Sequence, residues 1–224
     1  MPGVTVPTDP LVRWDWISGN RGVIYAALWQ HIELTLIAVG VGLVIALPLA
    51  VVSWKVPALR SKLVLVTGLL YVIPSIALFA IIRPVTGYFS ITTGEVALVS
   101  YTLLILLRNT LAGLDAVPED VREAARGMGF RPLHQLFRVD LPLALPSIFA
   151  GLRVATVTTV GLVTVTAFIG LGGLGQLIIQ GFSENGFHTP IVVGLVLSIV
   201  LAAVADALIV ASERLAVPWL RRRA

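Results

Sequence analysis

Cysteine is absent from all 224 residues, which excludes disulfides and thiol chemistry and leaves the redox compartment unreadable. Charge is scarce. Only 12% of the chain is Asp, Glu, Lys or Arg, whereas a soluble domain carries about a quarter. With 57% apolar residues and a mean hydropathy of +0.95, the balance points to an integral membrane protein. The N-terminus offers Pro, Thr and Asp and lacks both a basic region and a short apolar run, so no cleaved signal peptide is expected. Neither an internal repeat nor a low-complexity linker divides the chain, so residues 1–224 read as one transmembrane domain. No Gly-x-x-x-x-Gly-Lys-Ser/Thr loop occurs, so ATP, if used, must be bound by another polypeptide. His31, His134 and His188 are placed at an outer edge, an inner loop and an outer loop, which suggests neither a metal nor a cofactor. No Ser, His and acid converge by spacing. No catalytic residue is therefore expected.

What is present is a series of long apolar runs. Five spans are predicted, at roughly 32–53, 63–82, 93–111, 148–169 and 190–211. The third is the weakest, with 12 uncharged residues between Glu95 and Arg108, and it needs Arg108 to snorkel. Pro48 and Pro74 fall inside spans, where neighbouring helices can satisfy the freed carbonyls. Residues 1–30, with Trp14, Trp16, Tyr25 and Trp29, read as an external interfacial segment, and a half-inserted helix over 21–30 is too short to cross. Of 16 basic residues, 13 fall on one side when the spans are alternated, leaving Arg13, Arg21 and Arg83 on the other. The positive-inside rule then places the loop between the third and fourth spans and the tail in the cytoplasm, and the N-terminus outside. The net charge of +4 is a topology signal and carries no nucleic-acid reading.

The loop at 112–147 carries the most specific pattern. Pro118 can open a helix, with Glu119 and Asp120 at the positive end of its dipole. Gly127 and Gly129 supply a stop, and Pro132 can open a second short helix with Leu133, Leu136 and Phe137 on its apolar side. Set out by spacing, the stretch is Glu123-Ala124-Ala125, three residues, Gly129, nine residues, Val139, one residue, then Leu141-Pro142. Glu123 could pair along the helix with Arg126 or Arg122.

This pattern resembles the EAA loop of permease subunits in bacterial ATP-binding-cassette importers, with Val139 where isoleucine is usual. The resemblance implies an all-α integral membrane fold, with five transmembrane helices of the type I importer permease kind and the EAA loop between helices 3 and 4. It implies that Glu123, Ala124, Ala125, Gly129, Val139, Leu141 and Pro142 couple the chain to ABC ATPase subunits. A second permease subunit, identical or a paralogue, and an external substrate-binding protein are the other implied partners, in the bacterial inner membrane. Arg108-Asn109-Thr110, Gly113-Leu114, Val117-Pro118 and Tyr71-Val-Ile-Pro74-Ser75-Ile-Ala77-Leu-Phe are most similar to permeases for osmoprotectants such as glycine betaine, choline, carnitine and proline betaine. Methionine-type importers, which share the five-span plan, are the nearest alternative. A channel or secondary transporter would need its own gate charges and would not carry an ATPase-docking loop.

Gly170-Leu-Gly172-Gly173-Leu-Gly175 satisfies the dinucleotide fingerprint, but it follows a membrane span where that fingerprint requires a strand and a βαβ unit. These glycines are expected to break the fourth helix and pack tightly near an outer gate. Arg153 and Asp206 fall at similar depth, and a structural pair is the leading reading, with substrate contact as the sharper one. The threonines of the fourth span bond their own backbone or line a path. Candidate path residues are Pro74, Ser75, Tyr101, Thr159 and Thr166.

Overall fold

The computed structural model describes residues 10–87, 90–184 and 186–219. The basic residues 221–223 of the charge argument lie outside that set, as do residues 1–9. Among the described residues the chain is helical throughout: α1 (Trp14–Gly19), α2 (Arg21–Lys55), α3 (Pro57–Val72), α4 (Ser75–Thr86), α5 (Ile91–Asp115), α6 (Glu119–Gly127), α7 (Pro132–Gln135), α8 (Leu141–Thr166), α9 (Leu174–Ser183) and α10 (His188–Ala216). Four helices are long and apolar enough to cross a membrane, and the bent pair α3–α4 makes a fifth span if counted as one.

The boundaries differ from expectation in instructive ways. Residues 21–30 are the first turns of α2 and do not form a separate half-inserted helix. At 35 residues α2 runs roughly 52 Å, well beyond a hydrocarbon core of about 30 Å. Tyr25 and Trp29 sit exposed on the overhang. The predicted second span is broken. α3 and α4 meet at an angle of 103°, because Ile73 takes an extended conformation (ψ 126°) ahead of Pro74. The Tyr101 hydroxyl donates to the Ile73 carbonyl freed at that bend, and the Tyr71 ring packs edge-on against Tyr101. The third span is longer than its uncharged stretch, because Glu95 is taken into α5 and buried. The fourth starts earlier than residue 148. α7 continues through a π-helical stretch, Leu136–Asp140, directly into α8.

α5 is the central helix, packed by α2, α3, α4 and α8, while α10 lies on α8 and α9 at the periphery. In lipid, helix association relies on close packing, since the tails are as apolar as the side chains. Small residues serve that packing. A Cβ at Gly42 of α2 would lie 1.9 Å from Thr102 Oγ1 of α5, and one at Gly151 of α8 would lie 2.5 Å from Asn109 Cβ. At the end of α5 opposite α6, the Thr93 hydroxyl donates to the Gly87 carbonyl and pairs with Thr86, closing the α4–α5 turn.

Candidate functional site

The α6–α7 hairpin is built as its sequence dictates. α6 ends in a Schellman arrangement: Phe130 N–H donates to Ala125 O at 3.1 Å, and Gly129 N–H donates to Arg126 O at 2.9 Å. Gly129 closes it at φ 80°, a conformation that costs other residues a clash. Pro132 then opens α7. On the outer side of α6, Glu119 binds Arg126 at 2.6 Å and Arg122 at 3.4 Å. The Arg126 guanidinium, and then Arg122, hold the Glu119 carboxyl below its usual range. The pair is therefore intact at neutral pH and is lost only in acid, as the pH falls through that lowered value.

Arg122 pins the hairpin to the bundle. Its Nε donates to Asp140 Oδ1 at 2.9 Å, its terminal nitrogen donates to the Leu114 carbonyl, and its guanidinium lies 4.8 Å from the Trp54 ring centroid. Asp140 is 3% exposed and Arg122 13%, so the pair is buried between the last turn of α5 and the start of α8. Gln135 donates to the second Asp140 oxygen at 3.4 Å. One side chain therefore joins α2, α5, α6 and the π-helical stretch. Around it pack Leu114, Leu136, Ala144 and Ile148, with Leu47, Val51 and Trp54 of α2. Neither Arg122–Asp140 nor Glu119–Arg126 was anticipated from the sequence, where Glu123 was the expected partner.

Of the residues expected to couple, Ala125 is buried, while Glu123, Ala124 and Gly129 are exposed. Val139, Leu141 and Pro142 are half-buried where the π-helical stretch enters α8. Met128, Leu133 and Phe137 are also exposed, as large apolar side chains. α7 runs through the π-helical stretch into α8 with no loop between them.

Among the path candidates, Pro74, Ser75 and Tyr101 meet at the α3–α4 bend, through the Tyr101 bond to Ile73. Thr159 and Thr166 lie elsewhere. Both are buried and donate to carbonyls of their own helix, Ala155 and Val163 respectively, each at 2.7 Å.

At the opposite end, Gly170, Gly172 and Gly173 all take positive φ and turn the chain from α8 into α9. A Cβ at Gly175 would lie 2.0 Å from the Thr164 backbone oxygen, so α9 lies directly on α8. The turn is held by two neighbouring residues of α2. Gln30 donates to Leu171 O at 2.6 Å and accepts from Gly173 N–H at 3.1 Å. His31 donates from Nε2 to Val160 O at 3.0 Å and accepts at Nδ1 from Leu174 N–H at 3.2 Å. His31 is fully buried. Arg153 and Asp206 form the expected pair, with two parallel bonds of 2.7 and 2.9 Å. No group of three potential metal ligands occurs among the described residues.

Residues 38–216 match the family described as binding-protein-dependent transport system inner membrane component. The chain belongs to this family. It is 36% identical over 195 residues to the osmoprotectant import permease protein OsmW of Salmonella typhimurium, covering 85% of this chain and 90% of that protein. It is 34% identical over 204 residues to the choline transport system permease protein OpuBB of Bacillus subtilis, covering 91% and 93%. The methionine ABC transporter MetNI, solved in an inward-facing form, superposes at a TM-score of 0.78 over 88% of this permease and 98% of that chain. At 22% identity that match establishes the fold alone. The permease is thus an inner-membrane translocation component and, as a member of this family, carries no cofactor of its own.

Proline at position 129 cannot adopt positive φ and has no N–H for Arg126 O, so Gly129→Pro misdirects both helices of the hairpin. ATP-driven uptake is expected to fall to background while membrane insertion, followed by fractionation, stays normal. Normal uptake in that variant would remove the hairpin from the coupling pathway.

Proposed function

We propose that this permease is the membrane-spanning part of an ATP-driven importer for quaternary-ammonium osmoprotectants, with glycine betaine, choline, carnitine and proline betaine as the substrate class. The observation that carries it is the α6–α7 hairpin: anchored by Arg122 on one side, exposed at Glu123, Ala124, Met128, Leu133 and Phe137 on the other, and continuous with α8. That face docks on an ABC ATPase, which supplies the energy. Two permease subunits and an external binding protein complete the complex. Glu123, Ala124, Ala125, Gly129, Val139, Leu141 and Pro142 form the coupling surface, and Pro74, Ser75 and Tyr101 at the α3–α4 bend are the strongest candidates for the path. The relatives named above, an osmoprotectant and a choline permease, support the substrate class. So does the chemistry. A betaine has no net charge, and its passage needs dipoles and aromatic faces more than a full counter-charge.

Uptake by vesicles reconstituted with the permease, its ATPase and its binding protein tests the assignment. Betaine or choline uptake is expected. Uptake of methionine or an oxyanion, with neither betaine nor choline taken up, defeats it.

The hairpin and tail face the cytoplasm in this reading, and the α8–α9 turn faces outward. Cysteines introduced at exposed Ser61 and Arg131 are then expected to be shielded from impermeant thiol reagents in intact cells, and one at Glu184 to label. The absence of native cysteine leaves no background. Labelling at Ser61 without labelling at Glu184 would invert the topology.

A further inference from the structure

Glu95 is the only acid among the described residues that is buried with nothing to bond. It is 9% exposed, and neither carboxylate oxygen has a hydrogen-bond partner in the chain. Asp140, the other buried acid, has Arg122 and Gln135 against it. Buried carboxylates are kept where an ion or several donors meet them, so an open one points to a group from outside the chain. Glu95 stands four residues after Ile91, the first of α5, about 6 Å along the axis. That end carries the α8–α9 turn: a Cβ on the adjoining Gly94 would lie 2.3 Å from Leu171 Cδ1, and Gln30 of α2 bonds the Leu171 carbonyl. Glu33 of α2, which is exposed, is near enough for its charge to act on Glu95. Two acids therefore mark this junction of α2 and α5, one at the surface and one beneath it.

We propose that Glu95 is the counter-charge for the quaternary ammonium group of the substrate on the entry side, and that choline depends on it far more than betaine does. A quaternary ammonium carries its charge behind methyl groups and offers no N–H, so it meets a carboxylate by charge alone. A carboxylate without donors of its own has its whole charge to give, and burial keeps water from weakening it. Choline is a net cation, and taking it into low-dielectric surroundings requires an opposite charge nearby. Betaine brings its own carboxylate and needs much less. Glu33, exposed to solvent and screened by salt, adds a weaker attraction at the rim. The assignment rests on the substrate class proposed above, and it names the residue that discriminates within that class.

The test compares choline and glycine betaine uptake by the reconstituted complex, at saturating substrate and binding protein so that the binding protein's own affinity does not enter. Glu95→Gln keeps the shape and removes the charge. It is expected to slow choline uptake roughly tenfold or more and betaine uptake less than about threefold, while Glu95→Asp keeps the native ratio. An unchanged choline rate in Glu95→Gln overturns the proposal. So does an equal fall for both substrates, which would make Glu95 a structural group or a partner of another subunit. A second measurement keeps Glu95 in place and decides the matter where the Gln variant fails to accumulate. Thr92, exposed and three residues before Glu95 on α5, is replaced by cysteine in the otherwise cysteine-free chain. Relative to a cysteine at Glu184, it is expected to prefer a trimethylammonium thiosulfonate over the sulfonate analogue by about fivefold or more. Equal preference at the two positions overturns the proposal. A native complex that takes up neither choline nor betaine overturns the substrate class and this assignment together, whereas choline uptake by native and Glu95→Gln complexes alike overturns the assignment alone.

Discussion

Arg122→Ala is expected to reduce uptake at least tenfold and to lower the amount of permease in the membrane. The substitution leaves Asp140, 3% exposed, as a buried charge without its cation. Removing one partner of a buried pair typically costs about 3–5 kcal/mol, because the remaining ion keeps its desolvation penalty. Lost with it are the bond to the Leu114 carbonyl and the contact with the Trp54 ring, so α6 is released from α5 and α2 together. Arg122→Lys is expected to rescue little, since one ammonium cannot serve the carboxylate, the carbonyl and the ring at once. The double variant Arg122→Leu, Asp140→Leu separates stability from coupling. With both charges gone, abundance recovers, because a buried pair contributes little beyond what apolar residues can supply. Transport remains low, because the hairpin no longer has a directional anchor. Western blots of membrane fractions and uptake into vesicles measure the two effects. Normal uptake in Arg122→Ala would show that the hairpin needs no anchor.

Much of this site was legible in the sequence, and the reasons for what was missed are physical. Gly129 permits the positive φ that ends α6 and Pro132 fixes the φ that opens α7, so the hairpin could be drawn before the structure was known. Arg153 and Asp206 were paired on depth alone, because a span places residues along one axis and an isolated charge there needs a partner. Depth is no guide in a loop outside the lipid. Glu119 and Asp140 both offer Arg122 a carboxylate, and helical spacing favours Glu119, three residues away. What selects Asp140 is its burial beneath α6, a property of packing that no spacing encodes. The same holds for the bend at Pro74. A proline in a span is compatible with a slight kink or with a break of 103°, and the outcome depends on the Tyr101 hydroxyl arriving from α5 to take the freed carbonyl. The run from α7 into α8 is uninterrupted although it holds two prolines: Pro142 occupies the first turn of α8 and Pro146 is accommodated inside it.

His31 is the clearest case of a role that sequence could not reveal, and its replacement is expected to have the other large effect. It stands 129 residues from Val160 and 143 from Leu174, and its ring bridges both. Leu174 opens α9, so its N–H has no partner within its own helix and the imidazole Nδ1 serves as its cap. Because Nδ1 accepts, the proton must lie on Nε2, where it meets a carbonyl on the second helix. The ring is thus held neutral, in one tautomer, with both nitrogens used. His31→Ala orphans the Leu174 N–H and opens a cavity where α2, α8 and α9 meet, at an expected cost of about 2–4 kcal/mol. His31→Phe restores volume without either bond and is expected to be nearly as damaging. His31→Gln keeps an acceptor for Leu174 and is expected to be the mildest of the three. Thermal unfolding of the detergent-solubilised complex, read by the loss of its size-exclusion peak, ranks the variants. If packing volume alone mattered, Phe would match the native protein and Gln would not. If the paired hydrogen bonds hold α9 against α8, the order is native, Gln, Phe, Ala.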